Sequence, residues 1–139
     1  MLNAVLPSFL VLDPLLHQWL LEDIGRGDRT TLALDLEAQT GQAHWLVKEA
    51  GVIAGLPLAE RVFALLDSQT RFLAQVQDGQ WCDRGTVIAK IEGSLAALLT
   101  GERTALNLAM RLSGIATATR RYVEKIADLP SQLVDTRKT

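Results

Sequence analysis

From Ser94 onward the chain carries its most restrictive pattern: Leu95, Leu98, Leu99, Leu106 and Ala109 recur at helical spacing, and Arg103, Asn107 and Arg111 fall four residues apart beside them. Residues three and four apart share one face of an α-helix, so this segment presents an apolar stripe to a core and a polar column next to it. Ser94, just after Gly93, is the expected cap. Ser113-Gly114 is expected to break or kink the helix, with helical character resuming from Ile115 to Ala127 and ending at Leu129-Pro130. An amphipathic helix of this kind needs a layer to pack on, which the residues before it have to supply.

Those residues read as alternating helices and short strands. Asp13 is the expected N-cap of a first helix with Pro14 at its first position, apolar Leu15, Leu16, Trp19 and Leu20 at helical spacing, and Gly25 as its stop. Ile24 to Thr31 is a polar, glycine-rich loop; phosphate contact and plain solvation are both open for it. Ala43 to Val47 and Gly51 to Ala54 are short runs bounded by glycine, as strands are, and Leu58 to Leu66 returns to helical spacing. Arg71 to Val76, a turn at Asp78-Gly79, and Thr86 to Ile91 suggest two more strands. The class is therefore α+β with a small, mostly antiparallel sheet. Gln132-Leu-Val134 reads as a further strand with no evident partner, and is expected to open a larger α/β domain lying beyond Thr139. The expected division is residues 1–112 and 113–139.

Composition narrows the class of function. At 139 residues, 48% hydrophobic and 22% charged, the chain can bury a core without disulfides or a structural metal. No stretch is long and apolar enough to span a bilayer. The apolar start from Met1 to Leu12 has no basic flank and is interrupted by Pro7, Asp13 and Pro14, so no signal peptide is expected. Cys82 is the lone cysteine and is taken as an ordinary strand or turn residue, while His17 and His44 are far apart without companion ligands. A cytoplasmic protein with no metal site in this chain follows as the expectation. Net charge is −2, but residues 1–99 hold seven basic and twelve acidic groups, against seven basic and four acidic in 100–139. The capacity to bind anions thus lies toward the end, although solvated helix faces would give the same count. Neither nucleic acid nor membrane is expected as a partner.

Two basic segments carry that capacity: Gly101-Glu-Arg-Thr-Ala-Leu-Asn107 and Asp135-Thr-Arg-Lys-Thr139. Arg103 sits in an otherwise apolar helix beside small Thr104 and Ala105, so it can project into an interface or pocket; a structural arginine paired with Glu102, Asp135 or another carboxylate fits equally well. Arg137 offers a planar fork for a carboxylate and Lys138 a compact cation. Neighbouring residues on a strand point oppositely, so the two would need a bend after Asp135 to meet one ligand. A solvated terminus explains that pentapeptide as readily.

Together with Leu21-Glu-Asp-Ile-Gly25, Gly27-Asp-Arg-Thr-Thr31, Gly51-Val-Ile-Ala-Gly55, Ile91-Glu-Gly93 and Arg111-Leu-Ser-Gly-Ile-Ala-Thr117, these segments resemble, in order and spacing across nearly the whole chain, the carboxylating nicotinate-nucleotide pyrophosphorylases, or quinolinate phosphoribosyltransferases. The resemblance implies an N-terminal α/β sandwich followed by the first strand of an α/β barrel, in a homodimer whose N-terminal domains cap the partner barrels. It implies transfer of phosphoribosyl from phosphoribosyl pyrophosphate to quinolinate with decarboxylation, giving nicotinate mononucleotide, with Mg2+ accompanying the pyrophosphate. The substrate-binding positions it marks are Arg103, Thr136, Arg137 and Lys138; it assigns no catalytic residue. Residues 1–139 alone are expected to be inactive, since the rest of the barrel would bind ribose phosphate and metal. A relative linked to molybdenum transport shares the layout and a Thr-Arg-Lys segment, but Glu102-Arg103 and Asp135-Thr136 resemble the biosynthetic version. A biotinyl or lipoyl carrier, with Lys90 as its attachment site, would account for the hairpin at Asp78-Gly79 but leave both basic segments unexplained.

Overall fold

The structure, a computed structural model, describes residues 6–25, 27, 36 and 38–136. Helix α1 (Phe9–Ile24) comes first, then strands β1 (Thr40–Leu46) and β2 (Gly51–Val52), helix α2 (Leu56–Leu66), strands β3 (Arg71–Ala74), β4 (Trp81–Cys82) and β5 (Val87–Ser94), and helix α3 (Leu95–Lys125). β1, β5 and β3 form an antiparallel sheet in that order, and β2 pairs with β4 in a second, two-stranded one. This is the α+β class expected, with helices laid against a small antiparallel sheet.

The sheet follows the period-two rule. Along β1, Gly41, Ala43 and Trp45 turn inward while Gln42, His44 and Leu46 are exposed. A register shift between Trp45 and Leu46 inserts an extra residue into β5, and Ile88 and Ala89 are consecutively buried there. That is the signature of a bulge, which re-aims side chains locally. Trp45, Phe63 and Phe72 form the aromatic centre of the core, with ring centroids 5.7 to 6.2 Å apart. Leu16 and Leu20 of α1, Val62 of α2, Ile91 of β5, and Leu98, Ala105 and Ala109 of α3 close around it. α2 packs along α3 at Gly101, where an added Cβ would lie 2.9 Å from both Leu66 and Phe63 side chains. Only a residue without a side chain permits that approach.

Several element limits differ from those expected, each for a tertiary reason. α1 begins four residues before Asp13: Ser8 caps it, accepting from the Leu10 N–H at 3.3 Å, and Pro14 lies inside the helix. Asp13 is instead taken by Arg61, at 2.8 and 2.6 Å. α2 begins at Leu56 because Asp78, from the turn before β4, accepts the N–H groups of Gly55 and Leu56 at 2.7 and 3.1 Å. Gly55 sits at φ 96°, in the left-handed region that suits glycine. The expected break at Ser113-Gly114 is absent, and α3 runs through it. Ser113 accepts from the Ala54 N–H at 2.9 Å and donates to the Ala54 carbonyl at 3.2 Å, while Thr117 accepts from the Val52 N–H at 2.9 Å. These bonds fix the middle of the helix against the β2 segment, and tertiary contact overrides the weak local propensity. The strand expected at Gln132 to Val134 does not form either: residues 131–136 carry no regular structure and are exposed. A strand needs a neighbour for its backbone N–H and C=O groups, and none lies beside it among the described residues.

Candidate functional site

Among the positions singled out from the sequence, Arg103 is the one that the structure places in detail. It lies on the outer face of α3, in a column of exposed residues with Asn107 and Arg111, while Gly101, Thr104, Ala105 and Ala109 face the core. Small residues beside Arg103 therefore serve close helix packing, leaving the guanidinium outside. Its Nη1 donates to Asp23 Oδ1 at 2.7 Å, tying α3 to the last turn of α1; the side chains are 75% and 20% exposed respectively. Neither Glu102 nor Asp135 takes that place.

An arginine carries five N–H donors. Asp23 engages one nitrogen of Arg103, and no hydrogen bond to Nε or Nη2 is made among the described residues. That free edge is the geometry by which a guanidinium grips a carboxylate with two parallel bonds. The structure thus leaves Arg103 anchored at one nitrogen and 75% exposed.

Thr136 is exposed in the segment after α3, and no hydrogen bond or ion pair joins it to Arg103. Arg137 and Lys138 lie outside the described residues, as do Arg26 and residues 28–31 of the polar loop. Asp23 is the polar residue that sequence reasoning passed over. Glu22 and Asp23 both fall in the last turn of α1, which has no basic residue of its own. Carboxylates at the negative end of a helix call for a cation from elsewhere, and that was the available signal.

The other motif residues build the frame around the site. Ser113 and Thr117 dock β2 on α3, Gly101 admits α2, and Asp78 holds the start of α2. Cys82 is buried in β4, where burial first and the nearby Asp83 second push its thiol above the usual range. A thiol held protonated is a poor nucleophile, which fits the ordinary strand residue expected. Lys90 lies in the middle of the central strand, opposite His44 on one side and Leu73 on the other. A carrier lysine has to reach out from a turn, so the carrier reading fails. Among the described residues no group of three or more His, Cys, Asp or Glu side chains could hold a metal ion. No described helix is long and apolar enough to cross a membrane.

Comparison with known proteins identifies the frame. A sequence model of the family described as "Quinolinate phosphoribosyl transferase, N-terminal domain" matches residues 28–113, more than half of the chain. The chain belongs to that family. It is 57% identical over 134 residues to a probable carboxylating nicotinate-nucleotide pyrophosphorylase of Synechocystis sp., covering 96% of this chain and 45% of the relative. Identity to the Bacillus subtilis protein of the same description is 43% over 132 residues, covering 95% of this chain and 45% of that one. The crystal structure of NadC from Streptococcus pyogenes superposes with a TM-score of 0.92 at 38% identity, across 98% of this chain and 48% of that one. The nicotinate-nucleotide pyrophosphorylase of Francisella tularensis gives 0.89 at 30% identity, across 99% and 49%. The chain thus spans a little under half the length of the relatives that it matches.

Proposed function

We propose that the protein carrying this chain is a quinolinate phosphoribosyltransferase, which joins quinolinate to phosphoribosyl pyrophosphate and decarboxylates the adduct to nicotinate mononucleotide. The family assignment supports the reaction, and the open edge of Arg103 is the observation in this chain that carries it. Quinolinate bears two adjacent carboxylates on a pyridine ring. In the reaction the ring nitrogen forms a bond to ribose C1 as the bond from C1 to the pyrophosphate oxygen breaks, its electron pair leaving with pyrophosphate. The carboxylate beside the nitrogen then departs as CO2, and a proton takes its place on the ring carbon. Arg103 binds one substrate carboxylate through Nε and Nη2 and orients the nitrogen toward C1. Thr136, Arg137 and Lys138 complete the substrate contacts contributed by this chain, and the cations offset the charge that moves during substitution.

The protein acts as a homodimer in the cytoplasm in this reading, with Arg103 of one subunit reaching the substrate held by its partner. The division at residue 113 falls inside α3, which in this reading runs from the capping domain toward the barrel. Mg2+ accompanies the pyrophosphate in this reading, with its protein ligands outside this chain; among the described residues no cluster of three or more His, Cys, Asp or Glu side chains offers a site. The test is formation of nicotinate mononucleotide by the full-length protein from the two substrates. Arg103→Ala is expected to raise the KM for quinolinate, and mixing that variant with Arg137→Ala should restore part of the activity through hybrid dimers. No recovery despite demonstrated subunit exchange would refute shared sites.

A further inference from the structure

Arg103 and Arg61 each pair with an aspartate of α1, yet only one of the pairs is a closed brace. Arg61 grips Asp13 through Nε and Nη2 together, and its guanidinium carbon lies 5.3 Å from the centre of the Phe9 ring. Arg103 is held through Nη1 alone. The edge that Arg61 spends on Asp13 is the edge that Arg103 keeps free among the described residues. Asp23 is also the more enclosed member of its pair, sitting in the last turn of a helix that does not favour a carboxylate there. An arginine free to sample its rotamers has to be ordered when a ligand binds, and one anchored at a single nitrogen has been ordered beforehand.

We propose that Asp23 is a positioning residue, which orients Arg103 by one nitrogen so that its free edge meets a carboxylate of the pyridine dicarboxylate. This rests on Arg103 being a substrate ligand, as set out under the proposed function. The opposite role, a carboxylate that occupies Arg103 and competes with substrate, gives the opposite sign on removal.

The experiment measures kcat and both KM values for Asp23→Ala, Asp23→Asn, Arg103→Ala and the Asp23→Ala/Arg103→Ala double variant of the full-length protein. Asp23→Ala is expected to raise the quinolinate KM roughly three- to tenfold, the scale of ordering one long side chain, with kcat and the KM for phosphoribosyl pyrophosphate nearly unchanged. Asp23→Asn, which keeps an acceptor oxygen, should recover much of that loss, and Asp23→Ala should add nothing once Arg103 is alanine. A lower or unchanged quinolinate KM in Asp23→Ala, with Arg103→Ala raising it, overturns the positioning role and leaves Arg103 as ligand. An unchanged KM in Arg103→Ala overturns both. If Asp23→Ala does not fold, Asp23→Asn decides: a rise of about twofold, from the weaker neutral acceptor, has to vanish in the Arg103→Ala background. A rise that persists there overturns the proposal.

Discussion

The ends of α1 hold two ion pairs built from the same residue types for different ends. At Asp13, Arg61 engages the carboxylate with both nitrogens of one edge, and the side chains are 24% and 34% exposed. At Asp23, Arg103 engages with one nitrogen and stays 75% exposed. The first pair uses up the fork of the arginine and joins α1 to α2. The second joins α1 to α3 and, among the described residues, leaves Nε and Nη2 without a partner. Residue types are the same in both; what differs is the number of arginine donors left without a partner among the described residues, which is the difference between a brace and the proposed substrate contact.

The sharpest break of that comparison is a pair of substitutions in the full-length protein. Arg103→Ala is expected to raise the quinolinate KM roughly ten- to a hundredfold, the range for losing a charged hydrogen bond, and to leave the melting temperature nearly unchanged. Arg61→Ala should do the reverse, lowering the melting temperature and leaving that KM alone. Steady-state kinetics and thermal melts of both variants decide it, and equal effects on both quantities would erase the distinction.

Salt should separate the pairs next. The Arg103 side chain is 75% exposed, so raising ionic strength from about 0.05 to 0.5 M should increase the quinolinate KM several-fold, with a weaker dependence in Arg103→Ala. A dependence of equal strength in that variant would move the contact to other cations.

The pH response belongs to the closed pair. The hydrogen bond from Arg61 holds the Asp13 carboxyl below the usual carboxylate range, outweighing the opposing effect of burial. A depressed value in the folded state means that the stabilisation is present above the unfolded value of about 3.9 and is lost as pH falls through the folded one. Asp13→Asn should therefore melt below the parent protein at pH 7, and the gap should close as pH falls below about 4. A gap that stays constant with pH would assign the effect to packing. The smallest change is expected at Arg120 and Glu124, an exposed pair one turn apart on α3. Glu124→Gln should shift the melting temperature by no more than about 2 °C, since pairs of this kind contribute little.

Much of the frame was legible because it rests on local periodicity. The α3 stripe, the inward alternation of β1 and the short runs of β3 and β5 each bury one face, and one face is what a repeat of apolar residues encodes. β4 was missed because its two residues carry no period, whereas β2, equally short, was legible from the apolar run and glycines around it. Pro14 and Ser113-Gly114 misled for a related reason: local rules place a helix start at one and a break at the other, and both lie inside helices. The Arg103 column was readable from its spacing of four, but its partner was not, since Asp23 lies 80 residues away.

By itself the sequence determined the α+β class, the polar column of Arg103, Asn107 and Arg111 beside the apolar stripe, and a succession of motifs sufficient to name the family. Those properties depend on neighbours within a few residues, or on an order of segments that needs no coordinates. Only the tertiary structure decided which carboxylate faces Arg103, how many of its donors find no partner among the described residues, and that Ser113 and Thr117 hold β2 against an unbroken helix. Each of these joins residues far apart in the chain, and a hydrogen bond between such residues depends on distances and directions that packing alone establishes.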